Sequence, residues 1–379
     1  MKLIPRIYDN LGKLLRENKV IVIYGPRRVG KTTLLNNFLK KTLLKYAFHT
    51  GDEISVREAL TSESIDTIKN FISGSELIVI DEAQRIPDIG LGLKLIVDHF
   101  PGIKVLISGS ASLSLSYKIG EPLAGRKFDY TLYPVSQLEL ATEESKFNLA
   151  RSKEKFLIFG SYPEIITASS DTEKEKILRE IINSFLFKDI LELEKVKASN
   201  LLINLLRLIA FQIGSEVSLT ELGNNLGLNN RTVARYLNLF EQAFILYNLR
   251  GFSRNLRSEI TKKSKYYFLD NGIRNAVIEN FNSLEKRNDA GQLWENFLAV
   301  ERLKKQEYAG IGSKYNNYFW RTWDGKEIDW VEMRQGKLLG YEFKWGKERS
   351  IKSKITWLET YSEAEFKTVN QENYLDFIS

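Results

Sequence analysis

Three continuous apolar runs stand out in the first third of the chain. Val20 to Tyr24 (VIVIY), ELIVIDEAQ and KVLISGSAS are apolar at successive positions rather than at every second one. Runs of this kind fit strands buried on both faces of a parallel sheet. An amphipathic helix is expected from Thr32, directly after the first run, and another strand-like run lies in LAGRKFDYTLYPVS. Residues 1–145 are therefore expected to form an α/β unit on a parallel sheet.

The pattern then turns helical. GSYPEIITASSDTEKEKILREIINSFLFKDILELE has a turn marked by Gly160 and Pro163. Ser170 or Asp171 is the candidate cap of a helix whose apolar positions are Ile177, Ile181, Ile182 and Phe185. This predicts a small helical lid over 146–194. Next come an apolar helix, NLLINLLRLIAFQIG, and a short one, SLTELGNNLGL, with Ser218 and Thr220 as candidate caps. A longer helix follows, striped by Val233, Leu237, Phe240 and Phe244, and then strand-like pieces around ILYNLRGFS and SKYYFLD. Two helices joined by a short turn and followed by two strands predict a winged helix-turn-helix over 195–285. The last unit, 286–379, begins with the helix GQLWENFLAVERLKKQ. YFWRTW, EIDWVEM and KLLGYEFKW then form a three-strand meander that turns at Asp324–Gly325 and at RQGK. The segment after Arg349 carries no interpretable motif.

Candidate chemistry is densest after the first strand. Gly25, Pro26, Arg27, Arg28, Val29, Gly30, Lys31 and Thr32 fit G-x-x-x-x-G-K-[ST], with Thr33 next, between a strand and a helix as that motif requires. Loop and helix N–H groups would face phosphate oxygens, Lys31 would reach the terminal phosphates, and Thr32 would offer its hydroxyl to Mg²⁺. The second run ends in Asp81 and Glu82, at the sheet edge where ligands bind. Asp81 would complete the Mg²⁺ shell, and Glu82 would orient or deprotonate an attacking water. The third run ends in Ser108 and Ser110. Either can sense the γ-phosphate, and Ser110 is preferred. Arg126 either stabilises transition-state charge on a neighbouring subunit's nucleotide or is an ordinary surface arginine.

Composition narrows the classes. At 379 residues two or three domains are expected, and 43% hydrophobic content supports folded cores. The absence of cysteine excludes disulfides, thiolate metal sites and cysteine nucleophiles. The two histidines, His49 and His99, have no metal-ligand company in sequence. No apolar run approaches the ~20 residues of a membrane span, and no signal peptide is read, so the cytoplasm is the expected location. The net charge of +7 favours a polyanionic partner only where it clusters.

It clusters in the third unit. Arg231, Arg235 and Asn238 fall away from the apolar stripe of their helix. Arg250, Arg254, Arg257, Lys262, Lys263 and Lys265 follow against one acid, Glu259. Such a stretch can track phosphates of DNA or RNA with salt-dependent affinity. The same architecture also serves protein–protein binding, so a protein partner stays open.

The ordered set GPRRVGKTTLL, LIVIDEAQRIP, ISGSAS, LAGRKFDYTLYPVS and GSYPEII resembles the AAA+ ATPases of the bacterial and archaeal group whose C-terminal part is the DUF4143 region. The resemblance covers roughly residues 5–345. It implies ATP as the nucleotide, a sensor near Ser110, a functional Arg126 and a homo-oligomer. In the last unit Glu342 and Lys344 share a strand face, and a turn at Gln335–Gly336 returns Asp329 to their side. Hard oxygen ligands there suit Mg²⁺ or Mn²⁺, with Glu295 as a further ligand and Lys344 positioning water. Glu295…Asp329…Glu342-x-Lys344 resembles the PD-(D/E)xK nucleases, with Ile328 where that pattern often has proline. An active nuclease, a nuclease-like binding domain and a plain charged hairpin all stand as readings at this point.

Overall fold

The computed structural model describes residues 3–110, 119–184, 199–252, 264–311, 316–346 and 352–379. Its first sheet has five parallel strands: β1 (Val20–Gly25), β2 (Tyr46–Thr50), β3 (Leu77–Asp81), β4 (Lys104–Ser110) and β5 (Lys127–Thr131). Their order is β2-β3-β4-β1-β5. Every residue of β1 and β3 is buried, which is why those runs are continuously apolar. Helices α1 (Lys31–Leu39), α2 (Ile54–Thr61), α3 (Ile65–Ile72) and α4 (Ile89–His99) connect the strands. Because β4 lies between β1 and β3, the C-terminal ends of all three meet at one edge.

A short helix, α5 (Gln137–Leu140), is opened by a reciprocal capping box between Ser136 and Glu139. Then come α6 (Lys146–Phe159), α7 (Pro163–Thr167) and α8 (Asp171–Ser184), in the segment expected to be a lid. Ser170 accepts the Glu173 N–H at 3.2 Å at the start of α8, and Leu178 and Ile181 face the core. Phe185 lies outside the described residues.

The next helices are α9 (Ser199–Phe211), α10 (Leu219–Leu226) and α11 (Asn230–Gln242). Ser218 caps α10, left-handed Gly227 ends it, and Asn229 caps α11. Thr220 is not a cap; its hydroxyl takes the Asn230 side-chain amide at 3.0 Å and ties the two helices across their turn.

The second sheet has seven strands. They are β6 (Glu216–Val217), β7 (Leu246–Gly251), β8 (Ser264–Phe268), β9 (Asn317–Arg321), β10 (Glu327–Arg334), β11 (Lys337–Phe343) and β12 (Glu365–Val369). Their order is β12-β11-β10-β9-β7-β8-β6. The β9–β10–β11 meander is antiparallel, and Gln335 and Gly336 both take positive φ (48° and 81°) at its two-residue turn, which suits strand twist. The segment without a motif supplies β12, parallel to β11, and two helices, α14 (Lys352–Thr360) and α15 (Tyr374–Ile378). Two further helices, α12 (Asn271–Val277) and α13 (Ala290–Tyr308), lie between the strands in sequence.

The sheet runs straight through residue 285, because β7 pairs in parallel with β9 (Arg250 beside Tyr318, Gly251 beside Phe319). The hydrophobic core is also shared. One cluster extends from Ile21 and Leu35 through Leu157 and Leu178 of the lid segment to Phe240, Trp294 and Ile378.

Candidate nucleotide site and C-terminal carboxylate cluster

The nucleotide candidates gather where β1, β3 and β4 end. Gly25 closes β1 beside Ser110; a Cβ there would lie 2.2 Å from the Leu132 carbonyl oxygen, so the loop can leave the sheet only as glycine. Gly30, at φ 93°, opens α1 without a side-chain cap, the arrangement in which first-turn N–H groups serve an anion. Lys31 is buried, and its Nζ donates to the carbonyl oxygens of Gly25 and Pro26 at 2.8 Å each.

Thr32 Oγ1 donates to Asp81 Oδ2 at 2.6 Å. The Ser108 hydroxyl donates to Asp81 Oδ1, which also accepts the Glu82 N–H at 3.0 Å. Two hydroxyls and a peptide N–H therefore hold this carboxylate. Glu82 takes a left-handed φ of 52°, which turns its carboxylate toward the Gln84 side-chain amide. Ser110 is buried at the same edge, but the serine that touches the acid is Ser108.

Arg28 is left-handed (φ 60°), and its Nη1 lies 3.4 Å from Glu164 on α7 and 3.5 Å from Glu180 on α8. Arg27 is half-buried, Val29 is buried and Thr33 is exposed. Arg126 sits at the opposite end of the sheet, where its carbonyl accepts the Val20 N–H at 2.8 Å and its guanidinium pairs with Asp98 at 2.6 Å. Strand β1 separates it from the loop by roughly 15–20 Å at about 3.3 Å per residue, so Arg126 does not reach its own chain's nucleotide edge.

Sequence reasoning missed Arg6. Its guanidinium donates to the carbonyls of Val29 (2.5 Å) and Tyr133 (2.6 Å) and to Glu139 (3.1 Å), and so braces the loop from below. A lone arginine has no spacing to betray it. Beside it, a groove of about 430 Å³ is lined by Leu3, Ile4, Pro5, Leu140, Ile166 and Thr167 and by two acids, Glu143 and Glu144.

The lid segment locks into the C-terminal half at a second missed residue, Asp270. Its Oδ2 accepts the Ser161 N–H at 2.7 Å, and its Oδ1 accepts the Ile273 N–H at 3.1 Å. A Cβ on Gly160 would lie 1.9 Å from Asp270 Oδ1, so the turn before α7 must be glycine. Burial pushes the Asp270 carboxyl up to about 6 from its usual 3.8, against the pull of the Ser161 N–H and of Lys304. Asn275 adds donations to the Leu157 (3.0 Å) and Ile158 (2.8 Å) carbonyls.

On α11, Arg231, Arg235 and Asn238 are exposed while Val233, Leu237 and Phe240 are buried; Arg250 is exposed on β7. Arg254, Arg257, Lys262 and Lys263 lie outside the described residues. Lys265, read from sequence as one of the phosphate-tracking charges, is instead 1% exposed. Strand β8 is buried from Lys265 to Phe268, and the lysine points into acids rather than to solvent.

Those acids are the C-terminal candidates. The β10–β11 register pairs Trp330 with Tyr341, which sets Asp329 beside Glu342; the Phe343 N–H donates to Asp329 Oδ2 at 2.7 Å. Lys344 Nζ lies 2.6 Å from Glu342 Oε1. Glu295, on α13, accepts the Tyr267 hydroxyl at 2.7 Å and faces Lys265 Nζ at 3.2 Å; Lys265 also pairs with Glu327. Burial, then the charges of Glu295 and Glu342, push the Asp329 carboxyl well above the usual range, and Lys265 pulls it back only in part. Burial also lifts Glu342, against Lys344. Burial depresses the Lys265 ammonium, but Glu295, Asp329 and Glu327 outweigh it and leave it raised. Among the described residues no three acidic or histidine side chains converge as a metal-holding group. No helix among them is long and apolar enough to cross a membrane.

Residues 17–141 match the AAA domain family, and residues 290–374 match a domain of unknown function, DUF4143; a second such domain, DUF8612, matches 151–284. The chain thus carries an AAA domain, the unit of nucleotide-binding ATPases, followed at its C-terminal end by a DUF4143 domain. It is similar along most of its length to an uncharacterized protein of Mycobacterium tuberculosis, 27% identical over 338 residues (88% of this chain and 72% of the relative). An uncharacterized protein of Methanocaldococcus jannaschii is 25% identical over 369 residues (89% and 78%). One from Haemophilus influenzae is 25% identical over 340 residues (84% and 80%).

Proposed function

We propose that this chain is a Mg²⁺-dependent ATPase whose nucleotide state is relayed through its lid to a C-terminal half that binds nucleic acid without cutting it. The observation that carries the ATPase reading is the Thr32 Oγ1–Asp81 Oδ2 contact of 2.6 Å at the sheet edge that also holds Lys31. A hydroxyl and a carboxylate are hard donors that fit Mg²⁺, which when bound neutralises charge on the terminal phosphates. Lys31 exchanges its loop carbonyls for phosphate oxygens. Glu82, aimed by its left-handed backbone and by Gln84, orients the attacking water, and Ser108 keeps Asp81 in place with Ser110 beside it. The groove beside Arg6 takes the nucleotide's base. Arg126, remote from its own chain's site, acts on a neighbour's nucleotide in a homo-oligomer.

The relay starts at Arg28. Phosphate at the loop competes with Glu164 and Glu180 for this guanidinium, which loosens α7 and α8 from the loop. Those helices are keyed to α12 through Ser161 and Asp270, and α12 packs in the same core as α11. Arg231 and Arg235, one helical turn apart on the exposed face of α11, meet the phosphate backbone of the nucleic acid.

Phosphate release from ATP, with and without DNA, tests the reading against Lys31→Ala and Glu82→Gln. Turnover no faster in the parent protein than in these variants would sink it. A companion measurement is the salt dependence of DNA binding. Arg231→Ala with Arg235→Ala is expected to weaken binding uniformly across sequences and to reduce the log–log salt slope by about 0.9 for each phosphate no longer neutralised; an unchanged slope places the nucleic acid elsewhere.

A further inference from the structure

Lysine is rarely buried, because stripping an ammonium of water costs several kcal/mol unless it is well paired. Lys265 is 1% exposed and is paired on several sides. Its Nζ lies 3.2 Å from Glu295 Oε1 and contacts Glu327 Oε1; the Asp329 carboxylate adds its charge, and the Phe319 ring lies at 5.4 Å. The donors on the neighbouring oxygens are also the chain's own. Tyr267 shares Glu295 Oε1 with the ammonium, the Phe343 N–H takes Asp329 Oδ2, and Lys344 takes Glu342 Oε1. Glu342 Oε2 is buried without a hydrogen-bond partner among the described residues, but one oxygen is no cage for a divalent ion. Lys265 and Tyr267 come from β8, outside the DUF4143 match, whereas all four acids come from within it.

We infer that Lys265 is the resident counter-cation of this cluster: lent by β8 to the DUF4143 domain, its ammonium lies among Glu295, Glu327 and Asp329 and keeps these acids from converging on a divalent ion. A dication at the same acids would meet a fixed positive charge within a few ångström, a repulsion of several kcal/mol at protein-like dielectric. The site is therefore metal-independent, and the same ion pairs fasten β8 to α13 and β10. This inference stands apart from the ATPase and nucleic-acid readings and uses neither.

The test uses the full-length chain without nucleotide, with Asp81→Asn throughout to remove the other cation ligand. Mn²⁺ binding is followed by electron paramagnetic resonance, and melting temperature is read with and without Mn²⁺. With Lys265 in place, no saturable Mn²⁺ binding and no Mn²⁺-dependent shift in melting are expected. Lys265→Met should melt lower, bind Mn²⁺ at least ~10-fold more tightly and recover part of the lost melting temperature when Mn²⁺ is added. Lys265→Arg should behave like the parent. Saturable Mn²⁺ binding by the parent that is lost in Asp329→Asn overturns the inference, as does a folded Lys265→Met protein indifferent to Mn²⁺. Should Lys265→Met fail to fold, the parent titration and Lys265→Arg still decide.

Discussion

The nucleotide edge and the C-terminal cluster use the same residue types to opposite ends. Both set a strand-borne aspartate near a second acid and a lysine. At the first, Asp81 is held by the hydroxyls of Thr32 and Ser108 and a peptide N–H, while Lys31 is turned onto carbonyl oxygens. Its negative charge is oriented, and no ammonium or guanidinium among the described residues pairs with it. At the second, Lys265 and Lys344 lie directly on the carboxylates. There two ammoniums set among four acids offset their charge in part from within. Acids close together thus identify a cation site only when their hydrogen-bond partners are neutral.

The largest effect that could break this contrast is on turnover. Glu82→Gln is expected to slow phosphate release by at least ~100-fold, the usual scale for a lost general base, whereas Asp329→Asn or Lys344→Ala should leave it within about twofold. Comparable losses from both sites would abolish the distinction.

A finer cut lies between the two serines. Ser108→Ala removes a hydrogen bond to a charged group and should lower turnover by roughly tenfold or more, with Ser110→Ala milder. The reverse ranking would return the sensor role to Ser110.

Asp270 sharpens the contrast from the stability side, as a buried acid with no ammonium directly on it among the described residues. Its carboxyl is raised in the folded state, so between pH 3.8 and about 6 the folded chain holds more protons than the unfolded one. Stability from this group is therefore highest below that window and falls by up to ~3 kcal/mol as pH rises through it. Asp270→Asn keeps much of the helix cap but forfeits one acceptor. It should cost stability at low pH, and the gap to the parent should narrow between pH 4 and pH 7 in denaturant titrations. A constant gap would mean that Asp270 is not the group responsible.

The smallest expected effect is at the latch. Glu164→Gln with Glu180→Gln frees Arg28 from two exposed ion pairs worth at most ~1 kcal/mol each, so ATP affinity should rise only a fewfold. An unchanged affinity would remove Arg28 from the relay.

How far the sequence could be read follows the same divide. The loop from Gly25 to Thr32, the acids Asp81 and Glu82 and the ends of β1, β3 and β4 were legible because each rests on one contiguous, buried stretch. Strand β2 was not: YAFHT is a half-exposed edge strand with no apolar run to announce it. The β10–β11 hairpin was legible down to the Asp329–Glu342 pairing, because a two-residue turn fixes register. What stands between those acids was not. Lys265 belongs by sequence to a basic stretch, and only tertiary pairing of β8 with distant α13 and β10 turns it inward. Arg6 and Asp270 escaped for the same reason, since Tyr133, on which Arg6 closes, and Ser161, which Asp270 holds, each lie more than a hundred residues away along the chain.

The pairing of β7 with β9 also decides how the molecule can be dissected. A chain cut near residue 285 would yield two fragments, each with an unprotected sheet margin of open N–H and C=O groups, and one with Lys265 parted from its acids. Such margins recruit other strands. The stretch from α9 to the C-terminus cannot be divided there, and the core it shares with the lid segment and the first sheet ties it to the rest of the chain.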